Sequence, residues 1–130
     1  MASGAVGKEE VKRKVIEALK RAYDPEIPVN VYDLGLIYDV RVDDDGNVEI
    51  DMTLTAPGCP MAAMVASIVE AEVREAVGYD KDVKVNLVWD PPWDPRRVTP
   101  EGRKRLKEIF GYDVVEEWIR RYDEFRGQRK

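Results

Sequence analysis

The chain contains one side chain suited to nucleophilic or soft-metal chemistry. Cys59 is its only cysteine, and it has no histidine at all. Pro60 follows directly, and proline is favoured at the first position of a helix, which places Cys59 at or beside a helix N-cap. Unpaired backbone N–H groups and the helix dipole there favour the thiolate, the form that binds metals and attacks electrophiles. The plainer reading of the same position is a small hydrophobe buried in a tight turn. Other polar candidates lie nearby in sequence. Asp24, Glu26 and Asp33 sit in a proline-containing loop, where turn and cap chemistry is the commoner use of aspartate. Thr53 and Thr55 share one face of a strand that leads into Ala56-Pro57-Gly58-Cys59-Pro60, although strand propensity alone would explain them.

These counts exclude much. Without imidazole there is no Ser-His-Asp triad and no Cys-His pair. One thiol cannot supply a Cys/His zinc site or an internal disulfide, which fits a reducing compartment. The Asp43–Asp45 run lacks the length and ligand spacing of a calcium loop and reads as a solvated turn. Met61 and Met64 read as core.

The elements that must position these residues follow from periodicity. Val11, Val15, Ile16, Leu19 and Tyr23 recur at helical spacing from Lys8, and Asp24-Pro25 ends that helix. Residues 36–42 and 48–55 alternate around an Asp/Gly/Asn turn and form a hairpin. A second helix runs from Met61 to a stop at Gly78, and residues 83–89 make a third strand. The order α-β-β-α-β implies a two-layer α/β (α+β) sandwich, with a three-stranded sheet covered on one face by two helices. Ile50, Met52, Leu54, Val65, Ile68, Val85 and Leu87 are expected to be nearly buried. Residues 90–95 form a stiff proline linker. Thr99, Pro100 and Gly111 bracket a short helix, and a last one starts near Asp113. The divisions are a frayed tail at 1–7, a domain at 8–99, and a C-terminal helical extension at 100–130.

Charged residues make up 36% of the 130, against roughly 25% in ordinary domains, and the 44% hydrophobic share still suffices for a core. Net charge is −5 but unevenly spread. Up to Pro95 there are 10 basic and 19 acidic residues, and beyond it 11 and 7. The acidic body, and the absence of a GxxG loop between helices, argue against nucleic acid. No apolar run is long enough to span a membrane or act as a secretory signal, so a cytoplasmic location is expected. A single glutamine and three asparagines among so many charges point to a heat-adapted source.

The segment DPEIPVNVYDLGLIYDV, then TLTAPGCP, then a strand ending in VWDPPWDP, resembles the MIP18 (DUF59) family, with its SufT-like and PaaD-like branches. The likeness runs from about Val11 to Thr99. It implies the α-β-β-α-β fold, a non-enzymatic role in assembling or delivering iron–sulfur clusters, and a homodimer. It also implies that Cys59 is the metal-contacting thiol, supported by Asp24, Glu26, Asp33, Thr53 and Thr55. Since a cluster commonly takes four protein ligands, one thiol per chain implies a cluster that is transient, shared between chains, or held with a carrier or client. The PaaD-like branch leaves open an accessory role in a multicomponent ring-hydroxylating oxygenase. A thiol enzyme is disfavoured, because no resolving cysteine and no histidine base are present.

The extension carries apolar residues at 114, 115, 118, 119, 122 and 125, a stripe wide enough to need cover. Trp93, Trp118, Tyr122 and Phe125 are therefore expected to form a partner surface, by preference with a second chain.

Overall fold

The computed structural model describes residues 4–23, 27–55 and 62–128. Asp24, Glu26 and Cys59 lie outside the described residues. The order is α1 (Gly4–Leu19), β1 (Ile37–Val42), β2 (Val48–Met52), α2 (Ala62–Val77), β3 (Val83–Leu87), α3 (Pro100–Phe110) and α4 (Val114–Gln128). The sheet runs β1-β2-β3, with β1 antiparallel and β3 parallel to β2. The parallel pair requires a crossover, which α2 supplies.

The helices α1 and α2 pack together over one sheet face, and between the layers lie Val15, Leu19, Ile50, Met52, Val65, Val69 and Val73, all essentially without solvent exposure. Ile50, Met52, Leu54 and Val65 are buried as expected, but Ile68, Val85 and Leu87 are only half-buried. For the two strand residues the reason is position. Their partners across the register, Ile50 and Met52, lie on the central strand, whereas β3 is an edge strand with cover on one side only. The opposite sheet face carries Asp39, Arg41, Glu49, Asp51, Lys84 and Asn86 and stays open to solvent.

Element limits differ from the sequence reading in two informative places. The first helix starts at Gly4, inside the stretch expected to fray, and ends at Leu19 rather than Tyr23. Arg21 and Ala22 tighten into bonds to Ala18 and Leu19, and Tyr23 then bridges to Asn30. In β1 the register shifts between Ile37 and Asp39, leaving Tyr38 as the extra residue of a bulge. Tyr38 thus leaves the inward row, and its hydroxyl donates to Pro91 O at 2.7 Å.

The extension's apolar stripe is partly covered within the chain itself. Thr99 caps α3, accepting from Gly102 N, and Gly111 ends it with φ 82. Leu106, Val114 and Val115 are buried, and Trp118 meets Trp93 edge to face at 6.3 Å between ring centroids. The front of the stripe is covered by this chain's own linker, with only Phe125, at 57%, largely exposed. The prolines around Trp93 suggest a ring with little freedom to reach the core. Its ring nitrogen instead donates to Leu34 O at 2.8 Å, which pins the linker flat and offers a ring to α4.

Candidate functional site

Three segments converge where β2 ends. Thr53 N donates to Leu36 O, Leu36 N to Val31 O, and Val88 N to Met52 O, at 2.8, 3.1 and 2.8 Å. The loop before β1, the end of β2 and the start of the linker after β3 are thus tied at one place, and from there the chain runs through Thr55 towards Cys59. Of the residues proposed from sequence, the structure places Asp33, Thr53 and Thr55 around this junction.

Thr53 is fully buried, and among the described residues its Oγ1 makes no hydrogen bond of ordinary geometry. A buried hydroxyl without a partner costs about 1–3 kcal/mol, so its retention calls for a reason. Its polar neighbour is the Tyr38 phenol, whose pKa is raised chiefly by burial, with Arg97 and the Thr53 hydroxyl opposing. Thr55 is half-buried.

Asp33 is engaged differently. Its carboxylate accepts from Thr99 Oγ1 at 2.7 Å and from Asn30 Nδ2 at 2.8 Å, while its backbone carbonyl accepts from Thr99 N at 2.8 Å. Asn30 Oδ1 in turn accepts from Asp33 N. One carboxylate oxygen and the backbone carbonyl tie the loop to Thr99 at the start of α3, and the other carboxylate oxygen closes the loop on Asn30, so Asp33 fixes the frame of the loop. Arg97 completes that frame. It donates to Gly35 O at 3.0 Å and Ile37 O at 3.1 Å, and its guanidinium lies 4.5 Å from the centre of the Tyr38 ring. Asn30, Tyr38 and Arg97 were not singled out in the sequence. Asn30-x-x-Asp33 has a local turn signature that could have marked the first, but nothing local ties residue 97 to residue 35.

A separate polar network occupies the open sheet face. Arg41 clamps Asp51 through two bonds of 2.8 and 2.9 Å and reaches Asp39 at 2.8 Å. These bonds lower the Asp51 pKa to about 2, with Arg41 the largest cause and Asn86 the next. Arg41 bridges three carboxylates, Asp39, Glu49 and Asp51, across the two strands, which suits solubility and register. Among the described residues, no group of three or more His, Cys, Asp or Glu is placed to hold a metal ion.

The match to known proteins covers the sheet and the two segments of this junction that precede the linker. Residues 12–87 match the family model described as "iron-sulfur cluster assembly protein". The chain belongs to that family. An "Fe-S protein maturation auxiliary factor" of Porphyromonas gingivalis is 43% identical over 97 residues, which is 75% of this chain and 91% of that protein. A solved DUF59 domain from Bacillus anthracis superposes with a TM-score of 0.73 at 36% identity, covering 78% of this chain and 96% of that one. An Escherichia coli protein named as a putative component of a 1,2-phenylacetyl-CoA epoxidase is 38% identical over 92 residues, and the chain spans 53% of it. The family match ends at residue 87, ahead of the proline linker, α3 and α4. None of the helices in the described residues is long and apolar enough to cross a membrane.

Proposed function

We propose that this protein is a non-enzymatic auxiliary factor in the maturation of iron–sulfur proteins, with Cys59 as the thiol that contacts the metal of a cluster in transit. The observation that carries the reading is the family match across residues 12–87, which includes the TLTAPGCP segment and the chain's only thiol. The cluster is cargo. A cluster commonly needs four protein ligands and the chain offers one thiolate, so the carrier or the client supplies the others. Asp24, Glu26, Thr53 and Thr55 support Cys59 in this exchange, and Asp33 holds the loop frame. The Thr53 hydroxyl is suited to such work, since it is buried, has only the Tyr38 phenol as polar neighbour among the described residues, and stands six residues before the thiol. A free reactive thiol of this kind works in a reducing compartment, and we place the protein in the cytoplasm.

The test is anaerobic transfer. Incubated with a cluster-loaded carrier and an apo client, the full chain should accelerate recovery of client iron and sulfide. Cys59→Ser should abolish the acceleration while leaving the melting transition unchanged. Acceleration that survives Cys59→Ser would remove the thiol from the mechanism. The oxygenase-accessory role has less support, because the chain spans only about half of that relative.

A further inference from the structure

The two edges of the sheet are finished in different ways. Along β1 the outward carbonyls of Gly35 and Ile37 accept from Arg97, Trp93 binds Leu34 O, and a bulge interrupts the ladder. These are the devices that keep an edge from pairing with another strand. The edge at β3 has neither proline nor bulge in Val83–Leu87, and it is the end of the sheet.

Which backbone groups of β3 point outward follows from the ladder. Val48 N donates to Asp82 O, and Val88 N donates to Met52 O. Groups on residues 82, 84, 86 and 88 therefore face β2, and in a parallel pair the alternate residues face away. Val83, Val85 and Leu87 present N–H and C=O to the outside. Their side chains form a single apolar row on the helix side, half-open at Val85 and Leu87.

We propose that β3 is the edge through which two copies of this chain pair, antiparallel about a twofold axis at Val85, in one sheet continuous across both. The occupant is a second copy because this edge is complementary to itself. With Val85 opposite its own mate, Val83 stands opposite Leu87 of the second copy, so all the outward groups find partners and the apolar row is continued. Lys84 then stands opposite Asn86 of the second copy. Asn86 donates to Glu49 at 2.7 Å and Asp51 at 2.9 Å, so two carboxylates lie just behind it. The two carboxylates stand on β2, two strand spacings or ~9.6 Å from the other copy's β3. They lean towards Asn86, so the exposed Lys84 side chain, which faces Glu49 in its own chain, is long enough to approach the pair across the seam. Twofold symmetry makes the same contact twice.

The pairing goes beyond the proposed role in cluster delivery and stands independently of it, but it constrains that role. Antiparallel pairing of β3 puts the C-terminal ends of the two β2 strands at opposite ends of the seam. The two Thr53–Thr55 segments are then far apart, so a cluster shared by the two copies would have to span that separation.

Sedimentation of the full chain at about 100 µM should give twice the 14.9 kDa mass, corresponding to a dissociation constant of roughly 10 µM or tighter. Lys84→Glu, an exposed change that leaves the core alone, should raise that constant at least tenfold at low salt. Amide exchange supplies a second readout, with Val83, Val85 and Leu87 protected at high concentration and exchanging freely on dilution. A chain that is monomeric at that concentration overturns the proposal. So does a dimer indifferent to Lys84→Glu, or one whose Val83, Val85 and Leu87 amides exchange freely, since its interface is then elsewhere.

Discussion

The β1 side of the molecule is clasped by chain that lies about sixty residues away in sequence, while among the described residues no segment clasps the β3 side. On the β1 side polar side chains are spent on backbone. Asp33 with Thr99, Trp93 with Leu34 O, and Arg97 with Gly35 O and Ile37 O together close the edge and seat α3 and α4. On the β3 side the polar residues Lys84 and Asn86 face other side chains, and the outward backbone is left for a partner. The difference shows that the extension is part of the wall of the junction beside Thr53 and does not hang from the domain as a separate arm.

The largest effect should come from emptying the anchor of that wall. Leu106 is fully buried, so Leu106→Ala should cost about 2–5 kcal/mol. Chemical denaturation should remain a single transition. A separate early transition for the variant would show that the extension folds apart from the sheet, and the contrast between the edges would lose its meaning.

Gly35→Ala should come next. Gly35 has φ 76, and a Cβ there would lie 2.4 Å from Arg97 O, in the middle of the clasp. Backbone strain and the forced displacement together should cost about 2–3 kcal/mol. Gly46, with φ 85 and its nearest contact at 3.4 Å on a flexible lysine, is the control, with Gly46→Ala costing only the ~1 kcal/mol of a left-handed residue. Equal losses in the two melts would mean that the clasp is not tight at Gly35.

Asp33→Ala leaves the Thr99 hydroxyl and the Asn30 amide without their acceptor and should cost about 1–2 kcal/mol. Its cluster-transfer rate should fall only as far as the folded fraction does. A full loss of transfer with an unchanged melt would return Asp33 to direct contact with cargo.

The smallest effect belongs to the open face. The Arg41 bonds hold the Asp51 carboxyl below its ordinary value of 3.8, at about 2. A depressed carboxyl stabilises the fold above the unfolded value and loses that contribution as the pH falls through the folded one. The stability difference between the chain and Asp51→Asn should be steady above pH 3.8 and disappear towards pH 2. Because the pair is solvent-exposed, added salt should shrink it further.

The thread of the fold was legible because each signal was local. Alternation gave the hairpin, helical spacing gave α1, α2 and α4, and Thr99-Pro100 with Gly111 gave both ends of α3 to the residue. Motif order gave the family. What remained hidden needed partners distant in sequence. Asp33 looks the same in sequence whether its carboxylate meets cargo or a threonine sixty-six residues on, and only packing decides.

By itself, then, the sequence determined the element order, the polar and apolar faces of the sheet, and the chemical ceiling of one thiol and no imidazole. Those depend on residue type and on the 2.0 and 3.6 periods, which any short window contains. The tertiary structure alone decided that the linker closes the β1 edge, that Tyr38 leaves its row at a bulge, that Trp93 turns inward onto Trp118, and that β3 is left open. Each is a contest for the same surface between segments far apart in the chain, settled by which backbone groups must be paired once the layers have closed.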